Sequence, residues 1–265
     1  MIVLKKKNLI VISVLLVTFL TFIFCFSALE KTSADGAYSY KIKIVLDAGH
    51  GGVDGGVCGV NTGVKESDLN LAVVKKIERL LISADFNVVL TRNSSAGLYG
   101  VATNNLKRKD MQKRRDIINS AQPNLVVSIH MNKYSLSTRR GAQVFFKKDD
   151  DKGKMLAINL QESLNSMENA SRKCDALAGD YYILNCTDYP SVIVECGFLS
   201  NAQDESLLIT DDYQEQLAYA LYKGIVAYLS QATIIKYLLC LLYIKDICTC
   251  LLCYPLGILL GETGL

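Results

Sequence analysis

The sequence predicts an α/β fold: a single domain with a twisted, mostly parallel sheet of about six strands and helices on both faces. Short apolar runs typical of buried strands alternate along the chain with segments whose apolar residues recur at helical spacing. That alternation is typical of a parallel sheet covered on both sides. No internal repeat or second domain interrupts residues 41–231, and this length is normal for one domain.

The predicted elements follow one another in a regular order. The strands are the runs richest in Val, Ile and Leu, at residues 42–47, 87–91, 124–130, 142–146, 181–184 and 191–195, of which 181–184 is the weakest. The first helix is predicted from Asp68, with Ser67 as its N-cap, because apolar residues recur there every three to four positions. Further helices are predicted at residues 109–121, 152–168 and 211–230.

Both ends of the chain are strongly apolar, and we expect them to lie outside the domain. Residues 5–7 are lysines and precede an uncharged stretch at 9–29, a pattern typical of an export signal and close to the roughly 20 residues that span a bilayer. Residues 1–33 are therefore predicted to be a signal peptide or an N-terminal membrane anchor, with the rest exported across the cytoplasmic membrane. Cleavage of this segment is left open. Residues 232–265 form an apolar, cysteine-containing tail that is predicted not to be part of the fold.

Charge and cysteine content exclude two classes of protein. The formal net charge of +3 is too small to predict binding to nucleic acid. Between the apolar ends only four cysteines remain, without the spacing of a disulfide framework: Cys58, Cys174, Cys186 and Cys196. A domain of this size can bury a core without disulfides, so we expect these four to be mostly free thiols.

The chain contains only two histidines, and each ends an apolar run that is predicted to be a buried strand. His50 follows the run at 42–47, and His130 ends the run at 124–130. Ligands and catalytic groups collect at the carboxyl ends of the strands in open α/β sheets. The two imidazoles are therefore predicted to be metal ligands rather than core residues.

Glu66 is the best candidate for a third ligand. Catalytic zinc takes three protein ligands and leaves a fourth position for water. Glu66 follows a loop that is rich in glycine, and glycine tolerates the backbone angles that such a loop needs in order to fold back toward His50. As a lone residue, Glu66 would be an acid in the first turn of a helix, which the helix dipole favours. Beside two histidines at strand ends, the ligand interpretation is favoured.

Glu195 and Asp47 are candidates for supporting roles in the chemistry. Glu195 ends the apolar run at 191–195, and a carboxylate rarely lies there without a partner or a task. It is placed to be a general base, or it pairs with Arg114 or Arg92; its pKa rises by burial or falls beside a cation, and the sequence leaves the direction open. Asp47 either orients a ligand imidazole or is a turn aspartate.

These residues lie in motifs that resemble a known family. The motifs run from Ile44 to Asp54, from Gly59 to Glu66 and from Ser128 to Asn132, and a fourth covers Pro190 to Asn201. They resemble the zinc-dependent N-acetylmuramoyl-L-alanine amidases of the Amidase_3 type, over residues 42–230. The resemblance implies one Zn²⁺ per domain with His50, Glu66 and His130 as ligands and Glu195 as the catalytic glutamate. Arg92, Arg114 and Asn132 belong to the same motif set and are candidates for supporting the site or contacting substrate.

The resemblance also implies a function and its setting. Enzymes of this family hydrolyse the amide between N-acetylmuramic acid and L-alanine in peptidoglycan. A single catalytic domain behind an apolar segment resembles the CwlD-type sporulation amidases, which act before a deacetylase forms muramic-δ-lactam in spore cortex. The expected partners are glycan with stem peptides, the membrane through the N-terminal segment, and an accessory protein for activation. The alternatives are a peptidoglycan-binding or regulatory module with little activity alone, and another zinc hydrolase such as an exopeptidase or a deacetylase.

Overall fold

A six-stranded sheet organises the protein in this computed structural model. The structure describes Leu20, residues 41–171 and residues 173–252, with side chains described up to residue 233. The strands are β1 (Lys43–Ala48), β2 (Asn87–Leu90), β3 (Leu125–Asn132), β4 (Gln143–Phe146), β5 (Leu177–Ala178) and β6 (Ser191–Phe198). Their order is β2-β1-β3-β6-β4-β5. Only the β4–β6 pair is antiparallel among these strands, so the predicted mostly parallel sheet is confirmed.

Six helices accompany the sheet in the described region. They are α1 (Glu66–Ser83), α2 (Leu106–Ala121), α3 (Asp151–Asn165), α4 (Tyr182–Asn185), α5 (Ala202–Leu208) and α6 (Asp211–Leu252). Helices α1 and α3 pack against α6 on one face of the sheet, and α2 contacts α4 on the other. The predicted placement of helices on both faces is therefore confirmed.

The central strands are buried on both sides, which explains their almost unbroken apolar sequences. In β1, Ile44 and Leu46 belong to the larger core with α1, α3 and α6, while Val45 joins the smaller core under α2 and α4. The polar residues Asp47 in β1 and Ser128 in β3 are register partners. The face that carries α2 and α4 is thus the one on which polar groups collect near the strand ends.

Two local predictions are wrong. Ser67 is not the N-cap of the first helix, because α1 begins at Glu66 with Lys65 at the cap position. Residues 181–184 do not form a strand; Tyr182–Asn185 is the short helix α4, and the edge strand β5 lies earlier, at Leu177–Ala178. Short apolar runs do not distinguish strand from helix by periodicity. Ile183 and Leu184 are apolar because they are buried in the smaller core.

The two apolar ends are described only in part. The predicted N-terminal segment at 1–33 lies outside the described residues except for Leu20. Helix α6 runs past residue 231 and ends at Leu252, so the predicted boundary of the tail falls within a helix. None of the helices in the described part of the chain combines the length and the apolar character that a bilayer span requires. Cys58, Cys174, Cys186 and Cys196 are free thiols, as predicted.

Candidate metal centre and active site

His50, Glu66 and His130 come together at the carboxyl ends of β1 and β3. One potential ligand atom from each of the three lies within 4.8 Å of the others. Glu66 Oε1 lies 3.2 Å from His50 Nε2 and 2.9 Å from His130 Nδ1. The two imidazole rings meet edge to face, with centroids 5.0 Å apart. Two imidazoles and one carboxylate are a donor set that suits zinc, so the residues present fit the metal that the motifs imply.

The turn after β1 aims His50 back toward the sheet. His50 itself has φ 61°, and Gly51 and Gly52 follow with φ 137° and 63°. Positive φ is uncommon outside glycine and is typical of sites where local strain serves function. The amide of Gly51 donates to the carbonyl of Asp54 at 2.8 Å, which closes the turn. The backbone angles of this turn therefore help to set the direction of His50.

Glu66 is held by several donors besides the imidazoles. The amides of Val57 and Met131 donate to its carboxylate at 2.9 and 3.2 Å, and the side-chain amide of Asn70 donates at 3.3 Å. Burial alone would raise the pKa of Glu66, but hydrogen bonds and charge from His130 and His50 hold it well below its usual range. Glu66 is thus an ionised carboxylate, which is the form that binds a cation.

His50 has a carboxylate on each ring nitrogen. Its Nδ1 lies 3.0 Å from Asp54 Oδ1, while its Nε2 faces Glu66. Burial would lower the pKa of His50, but Glu66 and then Asp54 raise it above its usual value. Metal-bound histidines commonly donate their second ring nitrogen to a carboxylate, which fixes the ring and its tautomer. Asp54 can fill that role here.

Glu195 lies beside His130, its register partner in the β3–β6 pair. Its Oε2 is shielded from solvent and accepts no hydrogen bond from the described residues. Burial raises the pKa of Glu195 to about 7, the nearby His130 and His50 lowering it only in part. The sequence alone does not determine the direction of this shift in pKa. Neither Arg114 nor Arg92 pairs with Glu195 in the described structure, so the suggestion of such an ion pair is wrong.

Asp47 and Arg114 form a buried ion pair beneath the site. The Asp47 carboxylate accepts from Arg114 Nη1 at 2.5 Å and from the hydroxyls of Thr91 and Ser128, each at 2.6 Å. Burial would raise the pKa of Asp47, but Arg114 and the two hydroxyls lower it to about 2. Arg114 also donates to the carbonyls of Ala48 and His50. These bonds place Asp47 with the arginine under the turn instead of on an imidazole.

Arg92 and Asn132 take structural positions around the centre. Arg92 donates to the carbonyls of Ala48, Gly49 and Ser67 at 2.8 to 2.9 Å. It therefore ties the end of β1 to the first turn of α1. The side-chain oxygen of Asn132 accepts from the next amide, that of Lys133, at 2.7 Å. The strand register shifts between His130 and Asn132, an irregularity of a kind that is common beside active sites.

Two residues that support the site were missed by sequence reasoning. Asp54 contacts His50, and its spacing of four residues within a glycine-rich turn was the available signal. Asn70 donates both to Glu66 and to the carbonyl of Gly49. It lies one helical turn after Glu66 on α1, so it shares that residue's face.

A cleft of about 200 Å³ adjoins the metal donors. It is lined by His50, His130, Arg114, Met111, Tyr181 and Ile193, among others. A larger cavity of about 380 Å³ lies beside the end of β2 and is lined by Arg92, Ser94 and Glu78, among others, without any of the metal donors. The smaller cleft is therefore the one suited to substrate.

Comparison with known proteins identifies the family to which the chain is similar. The chain matches the Amidase_3 family, described as N-acetylmuramoyl-L-alanine amidase, over residues 44–227. It is 33% identical over 192 residues to the germination-specific N-acetylmuramoyl-L-alanine amidase of Bacillus subtilis (strain 168), a match that covers 71% of this chain and 80% of the relative.

Solved structures give the same result. The CwlD amidase from Clostridioides difficile, in complex with the GerS lipoprotein, superposes with a TM-score of 0.69 at 37% identity, over 72% of this chain and 99% of that one. An N-acetylmuramoyl-L-alanine amidase from Clostridium difficile 630 superposes with a TM-score of 0.64 at 26% identity, over 72% of this chain and 97% of that one.

Proposed function

Because the chain belongs to the Amidase_3 family and is therefore an N-acetylmuramoyl-L-alanine amidase acting on peptidoglycan, we propose that it is a zinc hydrolase of spore cortex maturation. One observation carries the zinc assignment: His50, Glu66 and His130 bring their ligand atoms within 4.8 Å, beside a glutamate with an unpartnered, buried oxygen. The substrate bond is the amide between the lactyl group of N-acetylmuramic acid and L-alanine.

His50, Glu66 and His130 would hold one Zn²⁺. Zinc bound there would lower the pKa of a coordinated water toward about 7 and polarise the substrate carbonyl. Glu66 keeps its negative charge at neutral pH. His50 Nδ1–H would donate a hydrogen bond to the Asp54 carboxylate, which leaves Nε2 free to coordinate. Arg114 and Arg92 hold the carbonyls of the turn that carries His50.

Glu195 would act as the general base and then as the general acid. Its buried Oε2 takes the proton from the attacking water and passes it to the departing alanine nitrogen. In the metal-free chain burial raises the pKa of Glu195 to about 7, which makes this carboxylate a better proton acceptor than an exposed glutamate.

Names of relatives support the biological setting. One relative is a germination-specific amidase, and another is a CwlD amidase. We place this chain in the same setting, where removal of the stem peptide exposes the lactyl carboxyl group and a deacetylase then allows muramic-δ-lactam to form. Such a role requires export, and residues 1–33 would serve as a signal peptide or an anchor that leaves the enzyme extracytoplasmic.

The same proposal includes the residue boundaries of the catalytic domain and an accessory protein as its partner. Residues 41–231 would be the catalytic domain and residues 232–265 an appended tail, which is supported by a family match that ends at residue 227. The CwlD amidase was solved in complex with a lipoprotein. An accessory protein of that kind would assist this chain as well.

Product analysis with a metal measurement tests the proposal. The purified full-length chain is assayed for zinc content and incubated with peptidoglycan of defined stem peptides. The expected result is one zinc per chain and free peptide that begins with L-alanine. Acetate or single amino acids as products would instead indicate a deacetylase or an exopeptidase.

Two variants sharpen this test. Glu195→Gln should retain zinc and release no peptide, because it lacks the proton acceptor. Glu78→Gln, which alters an exposed Lys75 pair on α1, should behave as wild type. Peptide release by Glu195→Gln at more than a tenth of the wild-type rate would refute the role of Glu195.

A further inference from the structure

Glu205 in helix α5 is a buried carboxylate that binds a distant loop. Its two oxygens accept from the amides of Asn61 and Thr62, each at 2.8 Å, and from the hydroxyl of Thr62 at 2.7 Å. The residue is only 1% exposed, and no ion pair to it occurs among the described residues. Hydrogen bonds to an ionised carboxylate are about twice as strong as neutral ones, so this contact is a firm anchor.

The anchored loop is the tip of a hairpin that ends at Glu66. Cys58 and Lys65 pair across it as an antiparallel bridge, and the amide of Glu66 donates to the carbonyl of Val57 at 2.8 Å. The amide of Val57 in turn donates to Glu66 Oε2 at 2.9 Å. The same hairpin, residues 57–66, is therefore held at its tip by Glu205 and binds the Glu66 carboxylate at its base.

Close packing makes the tip contact specific. A Cβ on Gly59 would overlap the carboxylate of Glu205, so a larger residue there cannot coexist with the observed bonds. The amide of Val60 also donates to the carbonyl of Leu199 at 3.0 Å. Leu199 directly follows β6, the strand that carries Glu195. The hairpin is thus hydrogen-bonded to the segment that carries Glu195, the proposed general base.

We infer that Glu205 is a positioning residue for the metal centre: through the hairpin 57–66 it sets where Glu66 presents Oε1 to the two imidazoles. The inference rests on the proposed function, in which Glu66 is a zinc ligand. The β6–α5 segment then has two roles: Glu195 in β6 acts as the general base, and Glu205 in α5 positions a metal ligand. Glu205 itself does not contact the metal or the substrate.

The test is zinc affinity of the full-length chain, measured by competition with a chelator of known affinity. In Glu205→Gln one carboxylate oxygen becomes an NH₂ group, which cannot accept the hydrogen bond from the backbone amide of Asn61 or Thr62. We expect the zinc Kd of this variant to rise about tenfold, the lower end of the effect seen when a group hydrogen-bonded to a metal ligand is removed, because Glu205 acts on Glu66 only through the hairpin. Hydrogen–deuterium exchange of residues 57–64 should become faster in the same variant without zinc.

Asp204→Asn is the matched control. Asp204 is the preceding buried acid on α5, but it accepts from the amides of Phe198 and Gly141 instead of from the hairpin. Its loss should lower the thermal stability of the chain while leaving zinc Kd within about twofold and exchange at 57–64 unchanged. A general structural role for Glu205 would make the two variants alike.

Gly59→Ala provides a second route that keeps every charge. Its methyl group displaces the Glu205 carboxylate, so zinc Kd should again rise, even where Glu205→Gln folds too poorly to measure. A wild-type chain that binds zinc, with Glu205→Gln or Gly59→Ala binding it equally well, overturns this inference alone. A wild-type chain that binds no zinc overturns the proposed function and, with it, the inference.

Discussion

Asp54 Oδ1 lies 3.0 Å from His50 Nδ1, while the other nitrogen of the same ring, Nε2, lies 3.2 Å from Glu66 Oε1. The imidazole therefore spans two carboxylates, one toward solvent and one toward the centre. A carboxylate on the outer nitrogen holds the proton there and increases the basicity of the inner nitrogen. Asp54 is consequently expected to control how well His50 binds a metal.

Removing the Asp54 carboxylate should weaken zinc binding. We expect Asp54→Ala to raise zinc Kd by about 10- to 100-fold, as losses of such orienting carboxylates do, and Asp54→Asn to have a smaller effect because an acceptor oxygen remains. Chelator competition measures both. Asp188→Ala, at an exposed acid, is the control. Equal zinc affinity in Asp54→Ala and wild type would contradict the assignment.

The contrast between Asp54 and Asp47 marks where sequence reasoning ends. Asp47 is three residues before His50 and is one candidate from the sequence for orienting an imidazole, but the acid that contacts the outer nitrogen of His50 is Asp54. Three successive positive φ angles, at His50, Gly51 and Gly52, reverse the chain and bring Asp54 back to the ring. The glycines predict that a tight turn exists. They do not predict which nearby acid the turn brings to the imidazole.

The Asp47–Arg114 pair makes the domain sensitive to acid. The pKa of Asp47 lies at about 2, below its ordinary value of 3.8, so the folded state binds fewer protons than the unfolded state in this range. The stabilisation is fully present above about pH 4 and is lost as pH falls toward 2. Asp47→Asn should lower the free energy of unfolding at pH 7 by about 3 kcal/mol, since it leaves a buried arginine with one partner fewer.

Urea denaturation of wild type and Asp47→Asn at pH 7 and pH 3 checks this expectation. The difference in unfolding free energy should shrink at pH 3, because Asp47 is then mostly protonated in the unfolded wild type while it is still mostly ionised in the folded one. A difference that stays constant between the two pH values would show that the charge of Asp47 does not carry the effect.

The effect of pH on the contribution of Glu195 to stability is opposite to that of Asp47 in the metal-free chain, because its pKa is raised instead of lowered. Its pKa of about 7 lies above its ordinary value of 4.5, so the folded state holds the proton more tightly. Ionisation of Glu195 therefore lowers the free energy of unfolding by an amount that grows from about pH 4.5 to pH 7 and stays constant above pH 7. Each pH unit in this window corresponds to about 1.4 kcal/mol, so Glu195→Gln should exceed wild type in unfolding free energy by about 3 kcal/mol at pH 8.

Denaturation in the presence of a chelator, at pH 4 and pH 8, distinguishes this effect from a change in packing. At pH 4 the two chains should be equally stable, because Glu195 is protonated in both the folded and the unfolded wild type. A variant that is no more stable than wild type at pH 8 would mean that Oε2 finds a partner when it ionises.

The strands of the sheet are easier to predict from the sequence than the residues that position the site. Strands β1, β3 and β6 are buried on both faces, so their composition alone indicates them. Helix α4 and strand β5 are two to four residues long and depend on packing at the sheet edge, which local sequence does not encode. Likewise Glu205 lies far from Glu66 in sequence, and only the folded hairpin joins them.

Gly49 should be intolerant of any side chain, because a Cβ there would overlap the imidazole of His130. Gly49→Ala is therefore expected to displace that ring, lowering the free energy of unfolding by about 1–3 kcal/mol, as overpacking usually does, and raising zinc Kd. Gly55→Ala is the control, since its new methyl group would meet only the flexible side chain of Lys65 at 3.2 Å. Denaturation and chelator competition on both variants separate the two effects. If Gly49→Ala bound zinc as tightly as Gly55→Ala, the position of His130 seen here would not be the one that the metal requires.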